Sequence, residues 1–68
     1  MTSNAYKVTY TVNGLQNTTH MDTAADAVKF ANTMTHVTHN DTMVEYPDNS
    51  VERFYWAMNM VMVAWVKC

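Results

Sequence analysis

Isoleucine is missing from this chain and leucine occurs once, at Leu15, so any apolar core must be assembled from valine, methionine, alanine and aromatic rings. Cysteine is confined to the last residue, Cys68. That excludes an intrachain disulfide and makes a reducing compartment the simplest home. With one neighbouring cation and no helix N-terminus beside it, the Cys68 thiol is expected to be exposed and inert. The only cations are Lys7, Lys29, Arg53 and Lys67, against six acids, for a net charge of -2. So few positive charges cannot form the clustered basic patch on which nucleic-acid binding rests, and direct binding of DNA or RNA is not expected.

Long apolar runs are also lacking. The longest, Phe54 to Val66 interrupted by Asn59, falls short of the ~20 residues of a membrane-spanning helix, and Met1 to Val8 has no charged start leading into an apolar stretch. The chain therefore reads as soluble and cytoplasmic, with no membrane partner. Its 68 residues form one domain, near the lower size limit for a self-sufficient core. Hydrophobic residues make up 49% and charged residues 15%, which argues against disorder but leaves few charges to solvate the folded surface.

The segment with a clear helical period is Asp22 to Met34. Thr23 can accept a hydrogen bond from the backbone of Asp26, approximating a capping box, and Asp26 favours the positive end of the helix dipole. Ala24, Ala27, Val28, Ala31 and Met34 fall on one stripe with Phe30 at its edge, while Lys29, Asn32 and Thr33 lie opposite. The helix is expected to fray through Thr35 to Thr38, where weaker helix formers take over.

Strand-like sequence flanks this helix. Tyr6 to Val12 alternates strictly, and Asn13-Gly14 signals a two-residue type I′ hairpin. The resulting register sets Val12 opposite Leu15, Tyr10 opposite Asn17, Val8 opposite Thr19 and Tyr6 opposite Met21. It leaves a Thr-rich polar outer face. After the helix, Thr42 to Tyr46 reads as a strand and Pro47-Asp48-Asn49 as a turn with Asn in the left-handed position. A symmetric register would place Glu45 against Glu52, so a three-residue loop with a bulge, setting Tyr46 opposite Ser50 and Val44 opposite Glu52, is preferred.

Val51 to Lys67 is too long for one strand. Folding it at Met58-Asn59 pairs Trp56 with Val61 and Phe54 with Val63, and brings Val61, Val63 and Trp65 to the core face. A single helix capped by Ser50 is the alternative for this run, but the density of Tyr, Trp and Val favours strands. The element order ββαβββ predicts an α+β domain: one antiparallel sheet with one helix packed on one face.

No arrangement in the sequence carries catalytic chemistry. Ser3 and Ser50 are the only serines, the acids are scattered over caps, turns and strands, and a packed domain of this size leaves little room for a pocket. An enzyme is not expected, nor is a cofactor. His36, His39 and Asp41 make the one metal-like grouping, but a zinc site needs three or four converging ligands and no fourth is indicated. No metal is expected there.

The remaining candidate is the sheet face turned away from the helix. It gathers Met43, Glu45, Val51, Arg53, Tyr55, Met60, Met62, Ala64 and Val66, an apolar patch with two charges. Such patches on small proteins mark association sites, and Met, Tyr and Arg are enriched at interface cores. Met43, Val51, Arg53, Tyr55, Met60 and Met62 are the expected partner-binding residues. The competing expectation is that a loop or the N-terminal tail covers this face.

The early hairpin, the helix opening Thr23-Ala-Ala-Asp-Ala-Val-Lys-Phe-Ala31 and the closing Trp65-Val-Lys-Cys68 give a layout that resembles small phage-encoded inhibitors of host machinery, of the anti-CRISPR or RNA-polymerase-inhibitor type. Many such proteins are markedly acidic, and a charge of -2 departs from that pattern. The resemblance implies an inhibitor that binds a host protein in the host cytoplasm through shape and apolar surface. The alternative is a structural or scaffolding subunit that forms a homodimer through the same face.

Overall fold

The computed structural model describes residues 5–67. Ser3, Cys68 and the N-terminal tail considered above as a cover lie outside them. The elements are β1 (Tyr6–Val12), β2 (Leu15–Met21), α1 (Ala24–Thr38), β3 (Thr42–Glu45), β4 (Val51–Ala57) and β5 (Met60–Lys67). The five strands form one antiparallel sheet in the order β2-β1-β3-β4-β5, with α1 on one face, as the ββαβββ pattern predicts. Among the described residues, no helix is long and apolar enough to cross a membrane.

Local turn chemistry sets all three hairpin registers. Asn13 and Gly14 both take positive φ, at 53° and 79°, and the expected pairs from Tyr6↔Met21 to Val12↔Leu15 follow. Between β3 and β4, Asn49 sits at φ 72° and the Tyr46 amide donates to the Ser50 carbonyl at 2.9 Å, which places Val44 opposite Glu52. Asp48 closes that turn by accepting from the Ser50 amide at 3.0 Å and hydroxyl at 2.6 Å. These bonds hold its carboxyl below the usual carboxylate range. The last hairpin pairs Trp56 with Val61 and Phe54 with Val63, as two strands and not the alternative helix. A β-bulge at the Val51/Glu52 step interrupts the pairing with the end of β5.

The core lies between the small stripe of α1 and the middle of the sheet. Ala27 and Ala31 are fully buried against Val8, Val44 and Phe54. Tyr10 and Phe30 meet edge to face at 5.1 Å at the margin. The Thr23 hydroxyl accepts from the Asp26 amide at 3.2 Å, the expected cap.

The C-terminal end of the helix departs from expectation. Residues Thr35 to Thr38 do not fray; α1 runs to Thr38 and ends in a left-handed cap at His39, whose amide donates to the Thr35 carbonyl at 2.8 Å. Tertiary packing overrides weak propensity here. Thr35 is fully buried, with its hydroxyl 3.0 Å from that of Thr42 and 3.5 Å from the Phe54 carbonyl. The Thr38 hydroxyl donates to the Met34 carbonyl at 2.7 Å and accepts from the Asn40 amide at 3.1 Å, so the last turn is tied on both sides.

Two strand residues also depart from expectation. Val63 and Trp65 are on the helix side of β5 as predicted, yet both remain about half exposed, because α1 lies chiefly over β1, β3 and β4 and only Val61 of β5 packs against the core.

Two stability predictions follow from these contacts. Replacing Thr35 alone by Val leaves a buried hydroxyl on Thr42 without its partner and should cost about 1–3 kcal/mol, whereas Thr35→Val with Thr42→Val should recover most of that loss. Urea unfolding of the four proteins of this cycle measures the coupling, and additive losses would show the pair to be dispensable. In the β4–β5 turn, Met58 is held at φ 54° and is 88% exposed, so it bears left-handed strain with no packing in return. Met58→Asn should raise stability by about 0.5–1 kcal/mol, read as a higher urea midpoint.

Candidate functional site

Strand alternation divides the sheet face opposite α1 into two chemically distinct halves. On β2 and β1 it presents Gln16, Thr18 and His20 beside Lys7, Thr9 and Thr11, a polar surface. On β3, β4 and β5 it presents Met43 and Glu45, then Val51, Arg53 and Tyr55, then Met60, Met62, Ala64 and Val66. The six residues expected to bind a partner therefore share one face of three adjacent strands. Met43 lies opposite Arg53, Tyr55 opposite Met62 and Arg53 opposite Ala64. Met60 is exposed, and Met43, Val51, Arg53, Tyr55 and Met62 are partly so.

The charge at the centre of this patch is matched locally. Arg53 Nε donates to Asp41 Oδ2 at 2.9 Å, and the guanidinium lies 4.5 Å from the centre of the Tyr55 ring. Carboxylate, guanidinium and phenol ring thus form a contiguous group in which the charge of Arg53 is matched. Sequence spacing groups Asp41 with the two histidines, whereas in the fold its partner is Arg53. The signal was present: with Val44 opposite Glu52, alternation puts Asp41 on the same face as Met43 and diagonal to Arg53.

The metal-like grouping is not brought together. His39 stacks on the Trp56 ring with centroids 4.0 Å apart and planes 9° apart, and His36 meets the same ring edge-on at 5.5 Å. Asp41 is engaged by Arg53. Among the described residues there is no group of three or more His, Cys, Asp or Glu side chains placed to hold a metal ion.

Where the polar and apolar halves meet, a shallow trough of about 460 Å³ crosses all five strands. Lys7, Thr9, Gln16 and Thr18 line one side, and Met43, Glu45, Val51 and Val66 the other. Lys7 and Glu45 are direct cross-strand neighbours in it, a favourable opposite-charge pair. No family model, curated protein or solved structure matches the chain. The geometry of the chain's own surface is therefore the basis for a functional reading.

On the helix side, Glu52 carries a charge at the edge of the core. The Tyr46 hydroxyl donates to Glu52 Oε1 at 2.7 Å; burial first, and this hydrogen bond second, push that hydroxyl well above the usual phenol range. Tyr46 also meets Tyr6 edge-on at 5.5 Å and Trp65 at 5.4 Å. This aromatic cluster fixes the end of the sheet beneath Val51, and with it the edge of the patch.

The Arg53–Asp41 pair supports a clear stability expectation. Its side chains are 42% and 54% exposed, so solvent screens the pair, and Asp41→Asn should change the unfolding free energy by no more than about 1 kcal/mol. A loss of several kcal/mol in urea would make the pair a structural element of the fold.

Proposed function

We propose that this chain is a non-catalytic protein-binding module, a phage-type inhibitor or modulator that holds a host protein on the apolar half of its open sheet face. The observation that supports this reading is the makeup of the patch. Met43, Val51, Tyr55, Met60 and Met62 present flexible and aromatic apolar surface on three adjacent strands, and Arg53, the one cation among them, is already matched by Asp41. Methionine side chains repack against varied partners, and Tyr and Arg are typical interface anchors. The net charge of -2 favours contact by shape and apolar area over imitation of a nucleic acid. The host cytoplasm is the proposed site of action, with neither nucleic acid nor membrane as a direct partner.

Affinity capture from a bacterial lysate, run in parallel with the wild-type chain and Tyr55→Asp/Met62→Asp, tests this. A partner held by the wild type should be lost by at least tenfold in the variant, while circular dichroism shows the fold retained. Capture that survives both substitutions rules out the face as the binding surface. The second reading, a scaffolding subunit that dimerises through the same face, predicts a stoichiometric dimer in sedimentation that disperses on Tyr55→Asp.

A further inference from the structure

We propose that the free edge of β5 is a docking strand for a second copy of this chain, the two β5 strands pairing antiparallel about a two-fold axis through Val63. This concerns the edge of the sheet, and its argument does not rest on the partner proposed for the open face.

The hydrogen-bonding direction of each residue follows from the hairpin register. The two-residue turn at Met58-Asn59 makes Ala57↔Met60 a hydrogen-bonded pair, and alternation then assigns Tyr55↔Met62 and Arg53↔Ala64 to the same class. The amides and carbonyls of Met60, Met62 and Ala64 are thus directed at β4, whereas those of Val61, Val63 and Trp65 are directed outward, where among the described residues β5 has no further strand beside it. The β-bulge opposite Val51 and Glu52 falls beyond Trp65, so these three outward residues form an uninterrupted run.

One antiparallel register satisfies all of them. With Val63 opposite its own copy, Val61 faces the copy's Trp65 and Trp65 faces the copy's Val61, three hydrogen-bonded pairs in a row. A slip by two residues in either direction leaves part of the run unpaired. The side chains suit the same register: small Val61 faces large Trp65 on the helix side, and small Ala64 faces long Met62 on the other. Large opposite small is how interdigitated layers fill space.

Charge points to self-pairing as well. From Met60 to Val66 the strand has no charged residue, so its own copy meets no repulsion, and Lys67 would lie across from Asn59. Native edge strands are normally protected by Lys, Pro or inward charges. β5 has none of these between its ends, and four of its side chains are half exposed, Met60 at 52%, Val63 at 49%, Trp65 at 56% and Val66 at 55%. The other edge, β2, is polar along Gln16 to His20, so its side chains there offer little apolar area to a pairing strand.

Size sets the expected strength. A standard interface covers about 800 Å² on each partner, a large share of the 4492 Å² of surface here, and one strand edge falls short of it. The dimer should therefore be concentration-dependent and not permanent. The axis is perpendicular to the sheet, so both helices lie on one face of a continuous ten-stranded sheet and the two open patches adjoin across the seam.

Sedimentation equilibrium of the full chain, from low micromolar to a few hundred micromolar, tests this. The wild type should pass from monomer to dimer, and Val63→Lys, which opposes two ammonium groups on the axis, should weaken the dimer at least tenfold. Tyr55→Asp, one strand in from the edge, should not. A hydrogen-bonded pair sets its Cα atoms about 5.5 Å apart, within disulfide reach. In a Cys68→Ser background, Val63→Cys should therefore cross-link to a dimer under mild oxidation, at least tenfold more than Val61→Cys. This second variant decides the matter even if Val63→Lys fails to fold. A chain that stays monomeric throughout, a dimer dispersed by Tyr55→Asp and not by Val63→Lys, or a Val63→Cys protein that does not cross-link would each overturn the proposal.

Discussion

A single helix, about 10 Å across, has to cover five strands whose outer axes are separated by roughly 19 Å, four spacings of about 4.8 Å. It cannot cover them all, and the rest of the molecule reflects where it was placed. Ala27 and Ala31 lie against Val8, Val44 and Phe54, so α1 sits over β1, β3 and β4. The outer strands are covered on the helix side only in part, Met21 of β2 and Val61 of β5 packing against the core while the rest of each strand is left open. For β2 this exposes the polar Asn17 and Thr19 along the strand and, of its apolar residues, chiefly Leu15 at the turn. For β5 it leaves Val63 and Trp65 half in water.

The length of the helix matters as much as its width. Fifteen helical residues span about 22 Å, close to the span of about 23 Å of a seven-residue strand. The helix therefore carries the chain back along the full length of β2. That allows β3 to enter beside β1 with the same direction as β2, antiparallel to β1. A helix ending at Met34 would fall about 6 Å short. The buried hydroxyls of Thr35 and Thr42 join its last turns to the start of β3, and the side-chain amide of Asn40 donates to the Thr11 carbonyl at 3.1 Å just beyond the end of the β1–β3 ladder. The polar residues at this corner do what the sequence composition would not suggest: they hold the crossover in place.

The parts of this fold that are legible in the sequence are those decided within a few residues. Each hairpin register rests on a turn of two or three residues, Asn13-Gly14, Pro47-Asp48-Asn49 or Met58-Asn59, and on alternation along the strands it joins. The shared face of Met43, Val51, Arg53, Tyr55, Met60 and Met62 comes from the same source. What was hidden depends on contacts distant in sequence. Propensity alone ends the helix at Met34, because the partner that stabilises Thr35 is across a turn on Thr42. Pairing alone puts Trp65 in the core, because the width of the helix is not a property of β5. The pairing of Asp41 with Arg53 lay between these cases, implied by the register but outweighed by the spacing of two nearby histidines.

The open face and the open edge are not independent surfaces. Met62 and Ala64 belong to both, with side chains in the patch and positions opposite each other in the β5 seam. Few residues are fully buried, and a domain of this size has little stability in reserve. Any ligand that binds only the folded chain then adds to stability by mass action. A second copy at the edge would order β5 and with it the outermost strand of the patch, so that a partner on the face meets a surface already fixed. The coupling must also run in reverse, because a partner that orders β5 favours the edge pairing by the same factor. The sign depends on geometry: a partner that wraps around Met60 and Met62 competes with the second copy, whereas one confined to Met43, Arg53 and Tyr55 leaves the seam free and promotes it.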